Sequence, residues 1–84
     1  MDNVPEAKAS LVELKEGINI MDLVVKTNFI TSKSEARRLI QQGGLCLNDD
    51  KINDINYIVN EKDIKEGYAL VKKGKKNFLK IIFN

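Results

Sequence analysis

The chain has no histidine and no tryptophan, and only one cysteine and one proline among its 84 residues. Without histidine, and with one cysteine, the common zinc ligand sets cannot be assembled. One cysteine cannot form an internal disulfide either, so no covalent staple supports the fold. Cys46 lies between Leu45 and Leu47 with no basic neighbour in sequence. That setting predicts a buried, unreactive thiol of a reducing compartment. Aromatic residues are few, three Phe and two Tyr. Phe29, Phe78 and Phe83 are expected in the core, and Tyr57 and Tyr68 with them, which leaves little for stacking on unpaired bases. No apolar run reaches the ~20 residues of a membrane span. The start, Met1 to Glu6, is polar and acidic, unlike a secretory signal or transit peptide, so a cytoplasmic protein is expected. No nucleophile–base pair, paired-carboxylate site or metal cluster stands out. The chain by itself is expected to be non-catalytic and to need no cofactor.

Eighty-four residues with 43% hydrophobic content suffice for one small domain with one core. The net charge of +2 hides a patterned distribution. Residues 1–23 sum to −3, residues 24–48 to +3, residues 49–66 to −3 and residues 67–84, with five lysines and no acid, to +5. If folding joins the two basic segments, they form a face that attracts phosphates. A solvated surface with scattered lysines has the same composition.

Residues 1–16 hold the only proline and read as a linker leading into a domain that occupies residues 17–84. Within them, Ala7 to Leu14 fits either an edge strand or a helical turn. Asn19 is a helix cap with Asp22 in the first turn, and the spacing of Ile20, Leu23, Val24 and Thr27 predicts a helix over residues 20–27. Ser32-Lys33-Ser34-Glu35 is a capping-box sequence, with Glu35 expected to reach back to the cap's own amide. The helix it opens should run to Gln42 and end at Gly43. At 100° per residue, Ala36, Leu39 and Ile40 share one side and Lys33, Ser34, Arg37, Arg38 and Gln41 the other. An ordinary exposed helix face mixes both charge signs, whereas here the cap already employs the only acid. After Gly43-Gly44 the pattern turns extended. Strands are predicted over Leu45–Leu47, from Lys51, over Tyr68–Lys72 and over Phe78–Phe83, with turns at Asn48-Asp49-Asp50 and Glu66-Gly67 and a hairpin tip at residues 73–77. The fold class is α+β: two short helices on a small, mostly antiparallel sheet.

The run from Ile30 to Gly44, with Ser34-Glu35-Ala36-Arg37-Arg38-Leu39-Ile40-Gln41-Gln42-Gly43-Gly44 at its heart, followed by Leu45-Cys46-Leu47-Asn48, resembles the S-four-type RNA-binding module. Within that group it resembles most the carboxy-terminal domains of bacterial-type tyrosyl-tRNA synthetases. Val4-Pro5-Glu6 upstream and the closing hairpin Lys72-Lys73-Gly74-Lys75-Lys76 fit the same resemblance, which covers residues 4–84. It implies a domain of a larger ATP-dependent ligase, homodimeric through its catalytic part. It further implies binding of tyrosine tRNA, at its variable arm and anticodon-side stem, in support of aminoacylation. Family members often carry Asn-Gly where this chain has Asn48-Asp49-Asp50, which adds negative charge near the expected RNA face.

A-form RNA offers phosphates and 2′-hydroxyls more readily than base edges. Arg37 and Arg38 can hold phosphate in a planar fork, and Lys33 adds a point charge near the helix start. Ser34 and Gln41 can donate to phosphate or to a 2′-hydroxyl, and Gly43 and Gly44 allow close approach. Lys51, Lys73, Lys75 and Lys76 would extend the surface, and the motif adds Asn48. DNA and membranes are not expected partners. Ribosomal or other structured RNA, or an acidic protein surface, would suit the same face.

Overall fold

The computed structural model describes residues 4–84. Met1, Asp2 and Asn3, part of the segment read above as a linker, lie outside the described residues. The rest of that segment is built into the domain. Glu6–Ala9 form strand β1, which pairs in parallel with the last strand, placing Ala7 opposite Ile81 and Ala9 opposite Phe83. Ser10 then caps helix α1, Leu11–Glu16, its hydroxyl accepting from the Glu13 amide at 3.2 Å. Leu14 of α1 is fully buried. The stretch that sequence left open between strand and helical turn therefore holds both. Gly17, at φ 93°, ends α1, and a side chain there would meet Ile58.

Helix α2, Ile20–Lys26, and helix α3, Lys33–Gln41, lie where periodicity predicted them. Asn19 caps α2 by accepting from the Met21 amide at 2.8 Å, and its own amide donates to the Ile55 carbonyl. Thr27 closes α2 through its hydroxyl on the Leu23 carbonyl. Ser32 caps α3, accepting from the Glu35 amide at 3.2 Å. The expected return contact differs. The Glu35 carboxylate accepts from the Thr31 hydroxyl at 2.8 Å, so only half of the capping box is made. Gly43, at φ 73°, ends α3 in the left-handed region.

The remaining strands are β2 (Ile18–Asn19), β3 (Leu45–Leu47), β4 (Asp50–Lys51), β5 (Ile58–Val59), β6 (Tyr68–Lys73) and β7 (Asn77–Phe83). The main sheet has the order β1-β7-β6-β3-β4, antiparallel except for β1, and β2 and β5 form a separate antiparallel pair. A single 3₁₀ turn, Glu61–Asp63, lies between β5 and β6.

Strand alternation sends Leu45, Leu47, Ala69, Val71, Leu79 and Ile81 to one face. These pack with Ile20, Leu23, Val24, Ala36 and Ile40 of the helices into one core. Phe83 is buried there, and Phe29 and Tyr57 pack against it half-buried. Phe78, Tyr68 and Cys46, expected in the core, are instead half-buried and outside it. Register explains this: Lys72 pairs with both Phe78 and Cys46, and Tyr68 pairs with Ile82, all on the sheet face opposite Val71 and Ile81. No helix among the described residues is long and apolar enough to cross a membrane.

Candidate nucleic-acid interface

Because α3 buries Ala36 and Ile40, it turns Lys33, Ser34, Arg37, Arg38 and Gln41 outward, and all five are exposed. They rim one shallow depression of about 450 Å³ with the buried Met21 of α2 beneath. Five donors round a concavity, with a closed apolar floor, can hold an anionic backbone without exposing the core.

The five are not equivalent. The Lys33 ammonium lies 2.8 Å from the Asp22 carboxylate, so its charge is already matched. Among the described residues Arg37 and Arg38 form no ion pair within 4.0 Å. Two adjacent guanidinium groups with no ion pair among the described residues leave the most unspent donor capacity on this face.

The glycines have internal reasons to be glycine. Gly43 needs its positive φ, with the Lys51 stem beside it. A methyl group on Gly44 would lie 2.6 Å from the Leu39 side chain. Lys51 is exposed and stands beside the end of α3.

Two hydrogen bonds tie the carboxy-terminal hairpin to this helix. The Gly74 amide donates to the Gly44 carbonyl at 2.9 Å, just past the end of α3. The Lys73 ammonium donates to the Phe29 carbonyl at 2.7 Å, just before its start, and lies 4.9 Å from the centre of the Phe29 ring. Lys73 thus serves as a strut between the hairpin and the α2–α3 turn. Lys75 and Lys76, at the tip, stay exposed and without an ion pair among the described residues. The two basic segments are therefore joined in space.

Asn48 is used inside the fold. Its amide nitrogen donates to the Asp63 carbonyl at 2.6 Å, and its amide oxygen accepts from the Leu70 amide at 3.0 Å. Asn48 and Asp49 both have positive φ, 50° and 73°, as the tight two-residue hairpin between β3 and β4 requires. Beneath that turn the Tyr57 hydroxyl donates to the Asp63 carboxylate at 2.8 Å. Desolvation, that hydrogen bond and the nearby charges of Asp63 and Asp50 push its pKa from 10 up to about 12.

Sequence reasoning missed a set on the open sheet face. Lys80 sits 4.3 Å from the centre of the Tyr68 ring, and Lys72 sits 5.7 Å from that of Phe78. The signal was the alternation of Tyr68, Leu70 and Lys72 with the buried Ala69 and Val71. The adjacent Ile81 and Ile82 in β7 blurred it. No group of three or more metal-ligating side chains clusters among the described residues.

Comparison with known proteins gives the family. The family described as the tyrosine–tRNA ligase SYY-like C-terminal domain matches residues 1–81. A tyrosine–tRNA ligase of Clostridium botulinum is 46% identical over 81 residues, covering 96% of this chain and 20% of the relative. Tyrosine–tRNA ligase 1 of Clostridium acetobutylicum is 47% identical over 83 residues, covering 98% of this chain and 20% of the relative. A tyrosine–tRNA ligase of Treponema denticola is 40% identical over 84 residues, covering 99% of this chain and 21% of the relative. The chain thus spans about a fifth of the length of these relatives.

Proposed function

The chain belongs to the family of tyrosine–tRNA ligase C-terminal domains, and from that membership we propose that it grips tyrosine tRNA for charging by the rest of the ligase. The tRNA's structured stems, with the variable arm foremost, lie along the exposed face of α3 and against the Lys75–Lys76 tip. Arg37 and Arg38 take phosphates, Ser34 and Gln41 donate to phosphate or ribose hydroxyls, and the lysines lengthen the contact. The observation that carries this reading is the pair of arginines, without an ion pair among the described residues, on a helix hydrogen-bonded just past its end to a lysine-rich hairpin. Chemistry on tyrosine or ATP is assigned to no residue of this chain.

Substitution of both arginines tests it. Arg37→Ala with Arg38→Ala removes two exposed side chains that make no ion pair among the described residues, so the thermal melt should hold. Affinity for tyrosine tRNA should fall about tenfold or more, the loss of a pair of charge-assisted contacts. Contact with about six phosphates gives a slope of log affinity on log salt near −4 to −5. A folded double variant that binds as well as the parent chain overturns the assignment of α3.

A further inference from the structure

The main sheet has a face that no helix among the described residues covers. By register it carries Tyr68, Leu70, Phe78 and Ile82 together with Cys46, each half-buried and none packed into the core. Lysines are set among them. Lys72 stands opposite Phe78, Lys80 opposite Leu70 and Lys8 opposite Ile82. Glu6 is the single acid at this register among the described strand residues. Three cations against one anion, alternating with two aromatic rings, form a surface unlike a solvated sheet face, where both charge signs interleave.

We propose that this face is a second RNA-contacting surface, one that takes unpaired nucleotides, distinct from the α3 face that takes duplex backbone. The inference rests on the proposed RNA-binding function and adds to it. Tyr68 and Phe78 supply rings on which bases stack, and any base suffices because every base has a π face. Strand rise places the two rings about 13 Å apart along the sheet, four residues of register. In the free chain Lys80 and Lys72 close over those rings. A cation–π contact at an exposed site is weak, and a phosphate draws the ammonium away, so the same lysine that caps the ring then holds the strand's backbone. A polyanion with flat apolar groups along it satisfies both halves of this pattern. An acidic peptide satisfies only the charge.

The test uses the whole 84-residue chain and two probes, a single-stranded adenosine decamer and a blunt RNA hairpin with a long stem. Binding is read by fluorescence anisotropy. Tyr68→Leu with Phe78→Leu should weaken decamer binding about fivefold or more, the loss of stacking, and change hairpin binding less than twofold. Arg37→Ala with Arg38→Ala should do the reverse. Should the ring variant melt at lower temperature, Lys72→Gln with Lys80→Gln decides instead, with the same expected split. A parent chain that fails to bind the decamer overturns the proposal, as does a decamer affinity indifferent to both sheet-face variants. Either result leaves the α3 reading standing provided tyrosine tRNA is still bound through Arg37 and Arg38. Saturable binding of a polyglutamate peptide with no binding of the decamer overturns it in favour of a protein partner.

Discussion

The Lys33 ammonium and the Asp22 carboxylate lie 2.8 Å apart across the groove between α3 and α2. One of the charges on the proposed RNA face is thereby neutralised by the protein itself. Surface pairs of this kind are worth about 0–1 kcal/mol, because water screens them and both side chains lose freedom. Asp22→Asn therefore leaves the fold nearly unchanged and frees Lys33 for phosphate. Affinity for tyrosine tRNA should rise about two- to fivefold, with a salt slope steeper by about 0.7 to 0.9 for one more neutralised phosphate. Titration at three salt concentrations measures both. Unchanged affinity and slope would show that Lys33 stays off the RNA.

Asn48 makes the opposite case, a residue with RNA-like chemistry that is spent internally. Its amide joins the β3–β4 turn to the Leu70 amide and the Asp63 carbonyl. Asn48→Ala leaves those two backbone groups without partners at a half-buried position, and holds alanine at φ 50°. The expected cost is about 2–3 kcal/mol, two lost hydrogen bonds at about 1–1.5 each, read from the urea midpoint. At low temperature, with the fold intact, the salt slope of tRNA binding should match the parent chain. A shallower slope with unchanged stability would instead make Asn48 an RNA contact.

Tyr57 gives a pH signature. Its folded pKa of about 12 exceeds the ordinary 10, through desolvation first and then its bond to Asp63. The folded state therefore holds the phenolic proton more tightly than the unfolded one. The stability so contributed is present below pH 10 and is lost as pH rises through 10 toward 12. Ultraviolet titration should show the Tyr57 phenol ionising about two pH units late. Tyr57→Phe should flatten the alkaline decline in melting temperature. A decline of unchanged size in the variant would assign it to another group.

What the sequence made legible, and what it did not, divides along locality. Helix α3 could be read because Ser32 marks its start, Gly43 its end and Ala36–Leu39–Ile40 its buried side, all within a dozen residues. Its outward donors followed from the same periodicity. The turns at Asn48-Asp49 and Gly67 were readable from residues that tolerate positive φ, whereas Glu66, at φ 56°, carries no such signal. The partnership of β1 with β7 was not, because Ala7 and Ile81 meet across most of the chain. Hence a lead-in segment turned out to hold a sheet strand and the buried Leu14. The return contact of Glu35 failed for a local reason, since the Thr31 hydroxyl is a nearby competitor that the pattern ignores. Hydrophobicity alone places Phe78, Tyr68 and Cys46 in the core, whereas only register decides which face of a strand is covered.

The central claim, that this domain grips tyrosine tRNA by its stems and variable arm, meets its most direct test in one comparison. Intact tyrosine tRNA and the same tRNA with its variable arm removed are titrated into the chain at low and high salt. The intact molecule should bind more tightly, by about tenfold for one lost arm's worth of phosphate contacts, with both affinities falling steeply as salt rises. Equal affinity for the two tRNAs, or binding indifferent to salt, would contradict it.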